Sequence, residues 1–391
     1  MSRMKSYLKE QNIELSAKRY FIDAMGAMAQ GLFATLLIGT ILDTIGAQFN
    51  IGFLKNPLVS KIPKALVTAI QSNPNGDAIL EALKAQRFYT IGGLISSLVG
   101  PAMAVAIGYA LHASPLVLFS LLGVGAAANE LGGAGGPLAV YVIAILACEC
   151  GKLVSKRTKV DILVTPAVTL LVGVVLSKLI APPIGDAAQK VGELIMWATE
   201  LQPLFMGILV SVLVGIALTL PISSAAICAA LGLTGLAGGA AVAGCCAQMV
   251  GFAVMSFREN RWGGLVSQGI GTSMLQMPNI LRNPRTWIPP ILASAITGPL
   301  ATCVFHMEMN GAAVNAGMGT CGLCGPIGVW TGWVNPAKQA LEHGAKVISP
   351  GTMDWIGLAL ICLVLPAVLS LLFCEIERKL GWIKKGDLKL D

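Results

Sequence analysis

The chain has 391 residues, of which 55% are hydrophobic and only 12% charged, and its mean hydropathy is +0.75. Soluble domains carry roughly a quarter charged residues, so this composition excludes a soluble globular enzyme and points to an all-α, polytopic membrane protein. The formal charge of +7 lies in clusters that flank apolar runs and form no continuous patch, which argues against nucleic acid as a partner.

The chain opens with MSRMKSYLKEQNIELSAKR. This stretch lacks the short apolar core and small-residue cleavage site of a signal peptide. Its apolar positions Met4, Leu8, Ile13 and Leu15 are spaced for an interfacial helix within 1–19. Apolar length then marks ten candidate spans, at 20–46, 89–111, 114–130, 137–151, 161–181, 203–221, 223–239, 241–257, 286–305 and 354–374. A crossing needs about 20 residues, so 114–130 and 137–151 are short. Residues 201–257 contain no Asp, Glu, Lys or Arg.

Basic clusters test this count. SRMKSYLKE and AKR precede the first span, and KLVSKRTK (152–159), FRENR (257–261) and ERKLGWIKK (377–385) each follow an even number of spans. All therefore share one side. The positive-inside rule makes that side cytoplasmic and places both termini there, including a tail over 375–391. Segments 50–88, 262–285 and 306–353 mix polar and apolar residues and are too short for a separate soluble domain, so 1–391 reads as a single membrane transport domain. Trp262, Trp287, Trp330, Trp333, Trp355 and Trp382 sit near span ends and read as interface markers.

The irregular segments carry the functional signal. Broken backbone survives in a membrane only where protein or a water-filled cavity covers it, and transporters place substrate where such breaks meet. AAANELGGAGGPLAV (126–140) and HMEMNGAAVNAGMGTCGLCGPIGV (306–329) each join an acid and an amide to a Gly-rich run ending in Gly-Pro. They are candidate re-entrant hairpins, at 126–137 and 306–329. The first offers Asn129 and Glu130; the second offers His306, Glu308, Asn310 and Asn315. SQGIGTSMLQMPNILRNPRTW (267–287) adds Thr272, Ser273, Gln276 and Asn279, and TLPISSAAICAALGLTG (219–235) adds Ser223 and Ser224. Ionisable groups inside a bundle are costly and are site candidates by default. A carboxylate beside amides suits sugar hydroxyls, because it pairs acceptors with donors.

The ten cysteines lie mostly in apolar runs and read as small buried residues, not a disulfide framework. Cys321-Gly-Leu-Cys324 lacks the second Cys/His pair that zinc requires, so neither a metal nor a cofactor is expected. His112 and His343 read as surface residues.

The run 263–329, with GTSMLQMPNI, NPRTWIPP and NAGMGTCGL, together with AMGAMAQGLFATLLIGTIL near the N-terminus, resembles the membrane component, enzyme IIC, of the bacterial phosphoenolpyruvate-dependent sugar phosphotransferase system. More narrowly it resembles the type 2 branch that includes perfringolysin O regulator-like proteins. The resemblance implies a homodimeric sugar transporter in the bacterial inner membrane, with about ten helices per subunit. It also implies re-entrant hairpins around the sugar and a mobile transport domain beside a fixed dimer scaffold. Related glucose-type proteins hold the sugar with a Glu in a Gly-Ile-Thr-Glu motif. That motif is absent here, and Glu308 or Glu130 would take its part. No stretch reads as an enzyme IIA or IIB domain, so phosphorylation would come from a separate enzyme IIB protein, or transport would be ion-coupled through Glu130 or Glu308.

The leading expectation is an elevator-like, alternating-access carrier for a small polar solute, a sugar or sugar-like acid. A membrane sensor that binds solute without net transport is the alternative, as is an ion-coupled carrier of a non-sugar metabolite. An intramembrane enzyme is disfavoured, since three histidines and no paired acids offer little acid–base chemistry.

Overall fold

The computed structural model describes residues 7–8, 10–48, 51–56, 90–342 and 344–390. His343 and most of the mixed segment 50–88 lie outside the described residues, as does the start of the expected interfacial helix. Among the described residues the protein is helical throughout, with one isolated β-bridge, between Gly235 and Met309, and no strand.

Helix α1 (Arg19–Gly46) is followed by a bent pair, α2 (Ile91–Ser97) and α3 (Val99–Ala110), which meet at 47°. Helices α4 (Pro115–Gly132) and α5 (Gly136–Val154) come next. By length and composition they form one 40-residue apolar stretch. They nevertheless fold as antiparallel arms: Val117, near the start of α4, packs on Gly151, near the end of α5. The turn at 133–135 reverses the chain, and Pro115 and Pro137 open the two arms, where a missing N–H is harmless. The expected hairpin at 126–137 is therefore the tip of two helices of 18 and 19 residues.

Helix α6 (Asp161–Thr199) has 39 residues, about 58 Å at 1.5 Å per residue, nearly twice the apolar thickness of a bilayer. Its first half packs along α4, with Gly173 against Val124. Its second half, beyond Pro182 and Pro183, carries Ile195 and Ala198 into a different core. Helix α7 (Pro203–Thr219) leads to a seven-residue helix, α8 (Ser224–Ala230), and then to α9 (Gly235–Met255). The expected span 223–239 is thus not a continuous helix. Pro221 precedes α8, and positive φ at Gly232 (61°) and Gly235 (64°) breaks the chain behind it. Apolar composition concealed this break.

After α9 come α10 (Phe257–Val266), α11 (Met277–Arg282), α12 (Pro284–Val304), α13 (Cys324–Val334) and α14 (Thr352–Lys379). Six helices among the described residues are long and apolar enough to cross a membrane, or seven counting the bent pair as one. That tally does not reach the ten expected, partly because it counts α4 and α5 together.

Two apolar cores result. One gathers α1, α3, α4 and α5 with Phe252, Met255 and Met274; the other gathers α7, α8, the first half of α9 and the segment around Met307–Trp333. α6 and α9 contribute to both halves of the molecule. α9 is the most enclosed span, 89% buried over its apolar window. Its Gly and Ala residues let neighbours approach closely, and Gly244 lies directly against the Ser211 backbone of α7.

The basic clusters converge on one end. Arg157 pairs with Glu10 at 3.0 Å, and buried Lys152 donates to the Asn12 and Leu111 carbonyls at 3.0 Å each. Arg378 pairs with Glu259 at 3.3 Å, while Asn260 donates to Leu388 O at 2.8 Å. Lys18, Arg282 and Lys389 line one concavity, which joins the two groups. Within the segment expected as a cytoplasmic tail (375–391), α14 continues to Lys379 and the residues after it fold back, with Ile383 and Leu388 buried.

Candidate functional site

Two hairpins enter the helical body from opposite ends. The first begins beside Ser256, at the basic end of α9. α10 is kinked at Arg261 (φ 52°) and runs inward beyond it, the chain turns at 271–273, and α11 runs back to Arg282. Its arms are stitched by amides: Gln268 donates to Ser256 Oγ at 2.8 Å, Gln276 donates to Gln268 Oε1 at 2.8 Å, and Asn279 donates to Gln276 Oε1 at 2.8 Å. At its tip Ser273 and Thr219 hydroxyls lie 2.8 Å apart, and Thr219 also donates to Gln248 of α9 at 3.3 Å.

The second hairpin starts at the other end of α9, where Gly235 and Met309 exchange backbone hydrogen bonds of 3.1 and 3.0 Å. The chain reaches a tip at 318–322, where Gly319 rests on Cys245, midway along α9, and α13 then returns. Gly311 packs on Gly328 and Gly332 on the Asn310 backbone, so the arms run side by side. Gly319 takes φ 53° with its α-carbon face against Cys245, so both conformation and contact require the missing side chain.

One tip is linked to Gln248 through Thr219 and the other rests on Cys245, one helical turn apart in the middle of α9. Between them lies a cavity of about 60 Å³. Gly271 and Thr272 line it from the first hairpin; Gly317, Met318 and Cys321 line it from the second. Ser223 and Ser224 at the start of α8, Pro137 from the α4–α5 turn and Leu32, Leu36 and Leu37 from α1 also line it, and Leu218, Ile222, Ala225 and Met274 add further apolar surface. Ser224 Oγ donates to Gly317 O at 2.7 Å and holds the second tip against α8. Ser223 Oγ accepts the Ala226 N–H at 3.2 Å, while its own N–H donates to Ala134 O at 2.8 Å. Thr272 Oγ1 accepts the Met274 N–H at 3.2 Å and so shapes the first tip. Ser223 and Thr272 stand where they do because they cap interrupted helices.

Of the sequence-derived candidates, Ser223, Ser224 and Thr272 meet at this cavity, with Ser273 directly behind it. Gln276 and Asn279 lie deeper in the first hairpin, where they donate to Leu388 O at 3.0 Å and Lys389 O at 2.9 Å. Asn315 lies between the arms of the second hairpin, beside Gly328. His306, Glu308 and Asn310 line a separate concavity at the far end. Asn129 packs between Gly100 and Gly136, and Glu130 is exposed; neither lines the tip cavity. The two Gly-rich segments do meet at this cavity, through Pro137 of 126–140 and Gly317, Met318 and Cys321 of 306–329, but the acid and amide of the first segment stay outside it.

Sequence reasoning passed over Thr219, Gln248 and Thr320. Gln248 carried a usable signal, as an amide inside the charge-free stretch 201–257. The thiols of Cys321 and Cys324 are unpaired.

A family described as "Phosphotransferase system, EIIC" matches residues 22–390, nearly the whole chain. The chain belongs to this EIIC family. Comparison with curated proteins and with solved structures found no match. Membership in the EIIC family and the apolar helices together make the protein a multi-pass membrane component of the sugar-transport type.

Proposed function

We propose that this EIIC protein carries a small polar solute, a sugar or sugar-like acid, by alternating access, and that the solute binds where the two hairpin tips meet. The observation that carries the reading is the approach of two interrupted helical hairpins from opposite ends to the middle of α9. Withdrawing one tip opens the cavity to one side of the membrane, and withdrawing the other opens it to the opposite side. In this reading both hairpins are re-entrant, and the basic end faces the cytoplasm by the positive-inside rule.

The cavity is well below the roughly 300 Å³ at which small-molecule sites begin, so solute binding requires the tips to part. Ser224, Thr272 and backbone groups of 317–321 then become donors and acceptors for hydroxyls. The two cores, joined by the long α6, suit an elevator-like displacement of one bundle past the other. A homodimer and a separate enzyme IIB partner belong to the same proposal, on the strength of the family relationship.

Uptake of labelled sugars into proteoliposomes tests the reading. Ser224→Ala removes a buried hydrogen bond worth roughly 1 kcal/mol and leaves the Gly317 carbonyl unsatisfied. We expect saturable uptake by the native protein and at least a fivefold change in its rate in Ser224→Ala. Binding without accumulation or counterflow would identify a sensor instead.

A further inference from the structure

The concavity at the end opposite the basic clusters measures about 330 Å³, within the range of about 300–1,000 Å³ for small-molecule sites. Four segments build it, one of them α13 through Gly332 and Trp333. His306, Glu308 and Asn310 come from the run into the second hairpin, Lys346 comes from the following loop, and Asp354 comes from the first turn of α14. Asn310 begins some 30 Å from the basic end, judged from the length of α9.

The carboxylate here is fixed in place. Asn310 is 6% exposed; its Nδ2 donates to Glu308 Oε2 at 2.8 Å, and its Oδ1 accepts the Gly235 N–H at 3.2 Å. Exposed Glu308 is therefore oriented by a buried amide anchored to the start of α9, and its second oxygen remains available. Lys346 makes no ion pair among the described residues. Asp354 Oδ2 accepts the Gly351 N–H at 2.7 Å, and the residue lines the pocket. The pocket thus sets acceptors on two walls against an ammonium donor on a third. Two carboxylates against one lysine give its lining a formal charge of −1, with the histidine counted as neutral. Trp333, 4% exposed, forms its floor and packs edge-on to Trp355 at 5.1 Å.

We propose that this pocket is an outer binding site for a neutral polyhydroxylated molecule, a sugar or polyol, separate from the cavity at the hairpin tips. Fixed carboxylate oxygens accept from vicinal hydroxyls, and the lysine donates to a third. An anion would meet two carboxylates, while acceptors and a donor spread over separate walls match the spacing of vicinal hydroxyls, so a neutral, hydroxyl-rich ligand fits best. Its role as the loading site for transport rests on the carrier reading; its occupancy does not.

The test titrates the purified full chain with D-glucose, D-mannose and D-galactose and follows tryptophan emission. At least one hexose should give a saturable change that Trp333→Phe abolishes. Glu308→Gln and Lys346→Met should each weaken that binding at least tenfold, while Trp262→Phe, exposed and away from both cavities, keeps it within twofold. Lys346 is exposed, so its variant tests the proposal even if Glu308→Gln fails to fold. No saturable change with any of the three hexoses, or native affinity in both variants, overturns the proposal. Uptake assays separate the two sites. A raised KM with unchanged Vmax in Lys346→Met supports a loading role. Saturable uptake without the emission change removes the outer site and leaves the carrier. Hexose binding at Trp333 without any uptake leaves the outer site and removes the carrier.

Discussion

Thr320 sits in the tip of the second hairpin, between the cavity-lining Met318 and Cys321, and its Oγ1 is buried with no hydrogen-bond partner among the described residues. An unmatched buried hydroxyl costs roughly 1–3 kcal/mol. In a carrier whose tips must part, that cost is recovered when the hydroxyl meets solute or water. Thr320→Val is nearly isosteric and removes the unmatched group. Its expected effect is an unchanged or higher melting temperature without sugar, by up to a few degrees, and a smaller sugar-induced rise. Thermal shift with and without sugar checks this; a marked loss of stability in the sugar-free protein would show that the hydroxyl is already satisfied.

At the scale of single elements, the second hairpin depends on a tip that carries no side chain at one place. A Cβ on Gly319 would stand 2.7 Å from the Cys245 carbonyl carbon, and φ 53° disfavours any side chain there. Gly319→Val should therefore displace the tip from α9 and reduce uptake at least tenfold in protein that still inserts and folds. Normal uptake would mean that the tip is not part of the transport path. The same elements show what the residues disclosed. Long apolar runs located α1, α5, α12 and α14 because burial in lipid leaves little choice of composition. The dense Gly and Asn of 306–329 marked an interrupted segment, since such residues are costly inside a regular span. Composition could not tell a short half-helix from a full span, so α8 was hidden within 223–239. It also made the 126–140 turn look like 306–329, although one joins two long helices and the other folds back at mid-depth of α9. Glu308 and Asn310 stood out as polar groups, but their separation from Ser224 and Thr272 is a matter of tertiary placement that spacing does not encode.

For the molecule as a whole, the basic clusters, the N-terminal segment and the folded-back residues 380–390 gather at one end, and the pocket of Glu308, Asp354 and Lys346 stands at the other. The two hairpins bridge that distance from opposite directions and meet around the cavity. The protein's proposed work depends on that meeting. It is best tested by cross-linking Cys321 to the Thr272→Cys variant, with Cys324 replaced by Ala, under mild oxidation in the membrane. The arrangement requires an intramolecular disulfide, formed readily without sugar and more slowly when transported sugar parts the tips. Failure to form it, with the Thr272→Cys thiol freely labelled by an impermeant reagent whether or not sugar is present, would show that the tips do not meet and that the cavity is not the path of transport.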